Sequence, residues 1–192
     1  MQTLKSNIRV RLQVAEHRDG DVFFNLYRHS LQQYFAATIG WDDAFRQAAF
    51  RFSFPIDQCK RITVEDSGNE EQFGGVVCTS RNSDGSQEIN LLLVEPSLRS
   101  NGIGEAVLDH LCMNAELHHR STRLSTFKLN VRAAHLYRRL GFSVIAEDKH
   151  YLHFEREPGG SALSTTLLMG VCQSSITSAT RESGSSYPLC GL

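Results

Sequence analysis

Leu91-Leu-Leu-Val-Glu-Pro-Ser-Leu-Arg-Ser-Asn-Gly-Ile-Gly-Glu105 decides how the chain is read. Its first four residues are apolar without alternation, which suits a central strand covered on both faces. Pro96 ends that strand. A polar loop, Ser97 to Asn101, feeds a helix from Gly102 whose apolar positions are Ile103, Val107, Leu108, Leu111 and Cys112. The first backbone N–H groups of a helix have no acceptors within it, and the helix dipole adds partial positive charge there, so the place binds phosphate. Gly102 and Gly104 let a ligand approach the backbone without a side chain in the way. A dinucleotide fingerprint would need a third glycine or alanine where Val107 stands, and no Gly-Lys-Ser/Thr phosphate loop occurs.

A second constellation follows: Asn130-Val-Arg-Ala-Ala-His-Leu-Tyr-Arg-Arg-Leu-Gly-Phe142. Asn130 can cap the helix after it or offer its amide to a ligand. Tyr137 presents a phenol from that helix, and Gly141 stops it.

Outward from these stretches, Ile8–Val14 alternates as a half-buried strand. Asp19 and Asp21 are placed to cap a helix carrying Val22, Phe23, Leu26, Leu31, Tyr34 and Phe35 and ending at Gly40. A second helix is expected from Asp42 through Phe45, Ala48 and Phe52, stopping before Pro55. Strands are expected at Arg61–Glu65, Phe73–Arg81, Glu88–Val94, Arg123–Lys128, Phe142–Ala146 and Tyr151–Phe154, with a short helix over Ala133–Leu140. The order predicts a mixed α/β (α+β) domain over residues 1–156. Residues 157–192 are dominated by Ser, Thr and Gly and read as a disordered tail.

The chain of 192 residues is 41% hydrophobic and 21% charged with a formal net charge of −1, so its charge balance points to neither a nucleic acid nor an acidic membrane. No apolar run approaches the ~20 residues of a spanning helix, and the first residues lack a signal-like apolar stretch, so the expectation is a cytoplasmic protein with no membrane partner. The five cysteines are scattered without a Cys-x-x-Cys pair, suggesting neither a disulfide framework nor a zinc site. Cys78 and Cys112 lie in apolar segments and are expected as buried thiols, and no metal is expected.

Taken together, Arg99-x-x-Gly102-x-Gly104 and Asn130, Ala133, Leu136, Tyr137, Gly141 and Phe142 resemble the two signatures of the GNAT superfamily of N-acetyltransferases. The resemblance implies a mostly antiparallel mixed sheet flanked by helices and acetyl transfer from acetyl-CoA to an amine, of a small molecule or a protein. It further implies that backbone groups of Leu92, Leu93 and Val94 pair with the pantetheine arm. By the same resemblance, Arg99 and the backbone of Ser100, Asn101, Gly102, Ile103, Gly104 and Glu105 hold the pyrophosphate, Asn130 contacts the cofactor, and Tyr137 is the general acid near its sulfur. Family members often carry Arg or Lys where this chain has Ser100 and Asn101, leaving side-chain attraction for the pyrophosphate to Arg99. Relatives that acetylate protein N-termini often place a glutamate base where Ser125 stands. Glu88, at the start of the central strand, is the candidate base, ahead of Glu65. Tyr27, Tyr34, Phe35, Trp41 and Phe45 with Asp42 and Asp43 are candidates to receive a cationic amine, although packing accounts for most of these rings equally well. A homodimer stays open. The rival is a non-catalytic acyl-CoA-binding module that kept the fold.

Overall fold

The computed structural model describes residues 8–65 and 71–159, together with the backbone of 189–191. The elements in chain order are β1 (Arg9–Val14), α1 (Gly20–Ala36), α2 (Asp43–Ser53), β2 (Cys59–Glu65), β3 (Gln72–Arg81), β4 (Gln87–Val94), α3 (Ile103–Leu117), β5 (Thr122–Phe127), α4 (Val131–Arg139), β6 (Ser143–Glu147), β7 (Tyr151–Arg156) and β8 (Leu189–Gly191). Short 3-10 turns precede α1, β2 and α3. The expected mixed architecture is what forms.

One sheet runs in the order β1-β2-β3-β4-β5-β7-β6, with β8 paired to β4. Its neighbours are antiparallel except that β4 runs parallel to β5 and to β8. Two clusters cover its faces. Ile89, Leu92 and Val94 of β4 pack with α3 and α4, whereas Leu91 and Leu93 pack with the aromatic residues of α1 and α2. The continuous apolar run of β4 is thus explained by coverage on both sides.

Local sequence accounts for most element ends. The Asp42 carboxylate caps α2 by accepting from the Phe45 N–H at 2.7 Å, and the Asn130 amide oxygen caps α4 by accepting from Ala133. Asp19 does something else. It is buried, accepts from the Glu16 N–H, and pairs with Arg61 of β2 at 2.6 Å, fastening the start of α1 to the sheet. The inward face of α2 also differs from expectation: Phe45 and Phe52 are 64% and 84% exposed, and Phe50 is the ring turned inward. Phe50 and the following Phe54 meet Tyr27 of α1 at centroid distances of 5.1 and 6.1 Å. On so short a helix, one aromatic anchor at the end decides which face is buried.

Cys78 is not a free thiol. The register of β2 and β3 sets Cys59 opposite Cys78 with Cα atoms 4.2 Å apart, and the two form a disulfide. That spacing belongs to a closely spaced cross-strand pair. Nineteen residues of separation hide the pairing from a reading of cysteine motifs. Cys112 is a buried free thiol as expected, and burial pushes its pKa up. Of the segment read as a tail, Leu189–Gly191 form β8, while residues 160–188 and 192 lie outside the described residues.

Closing a loop of this size is worth ~3 kcal/mol on the chain-entropy model. Replacing Cys59 and Cys78 together by alanine should lower the unfolding free energy in urea by about that amount, and an unmoved midpoint would show that the bond adds no stability.

Candidate functional site

The site begins where β4 leaves β5. The two strands pair only from Gln87 to Ile89 against Thr122 to Leu124. At the next residue β4 carries an irregularity: Thr79 faces Ile89 and Cys78 faces Leu91, so Asn90 is the extra residue. Its amide donates to Ser80 Oγ at 2.8 Å. A bulge bends its strand, and beyond this one Leu91–Val94 diverge from β5. The opened edge of β4 is taken at Leu91, Leu92 and Leu93 by β8, in parallel.

The loop after β4 leads to the start of α3. Ser100 and Gly102 both lie in the left-handed region, at φ 66° and 80°. Gly102 is the N-cap of α3 and makes no side-chain cap, so the first N–H groups of the helix are left to face outward. They open on a cavity of about 410 Å³, lined by the loop, by the first turn of α3 and by the outer face of α4. That volume suits a sizeable organic ligand. Val94, Arg99, Ser100, Gly102, Ile103, Gly104 and Glu105, all among the candidate cofactor-binding residues, line it. Leu92 and Leu93 lie on the diverging part of β4, one side chain on each face.

Residues 59–144 match the family model described as "Acetyltransferase (GNAT) domain". A domain from Methanocaldococcus jannaschii is similar in structure at a TM-score of 0.64 and 16% identity, over 79% of this chain and 99% of that one. PaiA N-acetyltransferase from Thermoplasma acidophilum, solved with coenzyme A, is similar at a TM-score of 0.58 and 13% identity, over 78% and 99%. The ribosomal-protein-S18-alanine N-acetyltransferase from Escherichia coli is similar at a TM-score of 0.53 and 17% identity, over 84% and 100%. No curated protein matches by sequence. Residues 59–144 are thus similar in sequence to a GNAT acetyltransferase domain, and the chain shares the fold of these solved structures.

Within this loop, charge is distributed otherwise than the sequence suggested. Arg99 is turned back into the protein: its Nε donates to the Val94 carbonyl at 3.0 Å and its Nη2 to Ser30 Oγ of α1 at 2.7 Å. Burial, and then the Arg132 guanidinium, lower its pKa from the ordinary arginine value. The facing charges come from α4. Arg132 donates to Ser100 Oγ at 2.8 Å, Arg139 pairs with Glu105 at 2.6 Å, and His135 lies between them on the cavity wall. The positions i, i+3 and i+7 share one face of a helix, a spacing visible in the sequence once the opposite face, Ala133, Ala134 and Tyr137, is seen to be buried. Asn101 spends its amide on the Leu98 carbonyl.

Tyr137 is fully buried, edge-on to Phe142 and Phe154 at 6.0 and 5.5 Å, under the α3/α4 face of the sheet. The opposite face carries other groups. Since Ile89 faces α3 and α4, alternation puts Glu88 on the α1/α2 side, opposite Arg123. Its carboxylate accepts from Asn82 at 2.9 Å, and Arg123 is held by Asp84 and Glu155. Ser125 and its cross-strand partner His153 share that side, joined by a 2.7 Å hydrogen bond that no motif signalled. Tyr27 and Phe35 are core residues, Asp42 is a cap, and Asp43 is engaged by Trp41 and Arg28. Tyr34 stacks on Phe127 at 5.6 Å. Among the described residues there is no group of three or more His, Cys, Asp or Glu fit to hold a metal, and no helix long and apolar enough to cross a membrane.

The division of labour between Arg99 and Arg132 is testable. Arg132→Ala should weaken coenzyme A binding ~10-fold, the value of one charge-assisted contact, without moving the melting temperature. Arg99→Ala should lower the melting temperature, because it unties α1 from the loop. Calorimetric titration and thermal melts read the two effects, and an unchanged affinity in Arg132→Ala would remove α4 from the anion site.

Proposed function

We propose that the chain transfers an acyl group, with acetyl as the first candidate, from acyl-coenzyme A to a primary amine by direct attack. One observation carries the proposal: a phosphate-sized helix terminus with a basic wall opens on a cavity that reaches Val94, the last residue of the part of β4 that has left β5. A GNAT domain and a structural neighbour solved with coenzyme A support an acyl-CoA donor. An amine acceptor agrees with the N-acetyltransferases among the structural neighbours, one of which acts on an alanine of a ribosomal protein.

In this reading the pyrophosphate is held by the N–H groups from Ser100 to Glu105 and by Arg132 and Arg139. The pantetheine arm lies along Leu92, Leu93 and Val94, with Asn130 near it. Donors fixed on that edge stabilise the oxyanion that forms when the amine attacks the thioester carbonyl. Tyr137 protonates the departing thiolate, and Glu88 is the carboxylate on the acceptor side, placed to draw in the ammonium form and accept a proton from it. No metal takes part, and neither nucleic acid nor membrane is a partner. The proposed compartment is the cytoplasm; the Cys59–Cys78 bond is the feature that stands against it, because structural disulfides are rare there.

The test is thiol release from acetyl-CoA with a panel of propylamine, a polyamine, free lysine and an alanine-led tetrapeptide. Tyr137→Phe should lower kcat ~100-fold while coenzyme A still binds, and Glu88→Gln should raise KM for a cationic acceptor. If no member of the panel is acylated and acetyl-CoA is not bound, the enzyme reading fails.

A second reading, a non-catalytic acyl-CoA-binding module, draws support from β8, which already pairs with the edge the pantetheine would use. Deleting residues 189–192 should tighten acetyl-CoA binding about fivefold, since displacing a few hydrogen bonds costs ~1 kcal/mol. Weaker binding would show that β8 helps to hold the ligand.

A further inference from the structure

Ser125 is the first residue of β5 beyond its last pair with β4, Ile89 with Leu124. It therefore stands at the apex of the parting, and alternation turns it to the α1/α2 side, with Phe127 and away from Leu124. Its hydroxyl is within 2.7 Å of His153 Nδ1, and the other ring nitrogen, Nε2, lies 3.4 Å from Asp148 Oδ2 in the turn before β7. Ser125 is 2% exposed, whereas the His153 side chain is 24% exposed. One end of this chain of groups stands at the apex of the parting and the other reaches solvent.

The chemistry of each group orients the next. Burial raises the pKa of Asp148, but the N–H groups of His150 and Tyr151 and then His153 outweigh it and leave the carboxyl below its ordinary value. An ionised carboxylate only accepts hydrogen bonds, so it selects the imidazole tautomer with the proton on Nε2. Nδ1 then carries the lone pair and must be the acceptor toward Ser125 Oγ–H. The serine oxygen in turn presents its lone pairs to an incoming N–H. Arg123 and Glu155, the other charged groups on this face of β5 and β7, neutralise each other at 2.7 Å; Tyr151 is buried against Phe127, and β6 offers only Ala146 beside His153.

We propose that Ser125, His153 and Asp148 form a relay that carries the acceptor amine's proton away from the reaction centre. The proposal rests on the acyl-transfer reading above. Glu88 then attracts the ammonium, and the proton leaves through Ser125. As the amine lone pair forms the C–N bond and the C–S bond breaks with its electrons on sulfur, the N–H proton passes to Ser125 Oγ. The serine proton passes to His153 Nδ1, and the imidazolium faces Asp148 before losing its proton to water. The thiolate takes a proton from Tyr137, which regains one from water, so the sum is amine plus thioester giving amide plus thiol. Ser125 is the catalytic residue of the three, and His153 and Asp148 act through it.

Two measurements on the full chain test the relay. The first is independent of turnover: ¹⁵N chemical shifts should show the uncharged His153 ring as the Nε2–H tautomer, and an Nδ1–H tautomer overturns the proposal. The second uses acetyl-CoA with propylamine and an alanine-led tetrapeptide as acceptors. Ser125→Ala and His153→Asn, the latter keeping an acceptor for the serine, should each lower kcat ~100-fold with acetyl-CoA affinity held within about twofold. Ser125→Thr should restore turnover. Full activity in Ser125→Ala or His153→Asn overturns the relay while leaving acyl transfer standing, as does loss of acetyl-CoA binding in His153→Asn, which marks a structural role. If the wild-type chain acylates neither acceptor and binds no acetyl-CoA, acyl transfer falls, and the relay with it.

Discussion

Parallel pairing between β4 and β5 stops after Ile89 and Leu124, and the site depends on that stop. A buried strand cannot leave its N–H and C=O groups without partners, since each would cost ~1–3 kcal/mol. The edge from Leu91 to Leu93 must therefore be completed by something extended. In the structure β8 completes it, and in the proposed reaction the pantetheine arm would. The bulge at Asn90 makes the vacancy possible in two ways. It bends β4 away from its neighbour, and it shifts the alternation so that Ile89 and Leu91, both odd-numbered, face opposite sides of the sheet. Without the extra residue, the leucines that pack under α1 would point at α3.

Because each face has its own core, the parting is reached from two sides by different chemistry. The α3/α4 side offers N–H groups, arginines and the Tyr137 ring. The α1/α2 side offers Glu88, Ser125 and His153, all set by strand alternation rather than by loops. Groups on strands are held more firmly than groups on loops, which suits positions where an ångström decides a rate. Residues near Glu88 and residues near Gly102 can thus vary independently on the same sheet.

Much of this was legible. The five apolar positions of α3 are all buried, the order of elements from β1 to β7 is as read, and Asn130 and Asp42 cap the helices they precede. These features are local, fixed by periodicity and by side chains within a few residues of the backbone they serve. What escaped was set by register. Cys59 meets Cys78, and Ser125 meets His153, only because antiparallel strands align them, at separations of 19 and 28 residues. Nothing local distinguishes those residues from neighbours that meet nothing. Arg99 was legible as a motif residue but not in its direction, because Ser30, which turns it inward, belongs to a helix 69 residues earlier.

The inward turn of Arg99 and the outward row on α4 are two halves of one electrostatic arrangement. Arg99 is locked by two short hydrogen bonds and acts as a brace that fixes the loop's shape. Arg132 and Arg139 are exposed and held by a serine hydroxyl and by a surface ion pair, contacts worth only ~0–1 kcal/mol. Such side chains can turn to a phosphate, which offers stronger charge-assisted bonds than the partners they leave. A loop whose own arginine is turned inward can then still bind an anion, because the facing cations arrive from the neighbouring helix. The same nine residues of α4 carry Tyr137 on the inner face, toward the sheet. The 3.6-residue period therefore ties the outward basic row to the buried Tyr137, and a change that rotates α4 must disturb both faces at once.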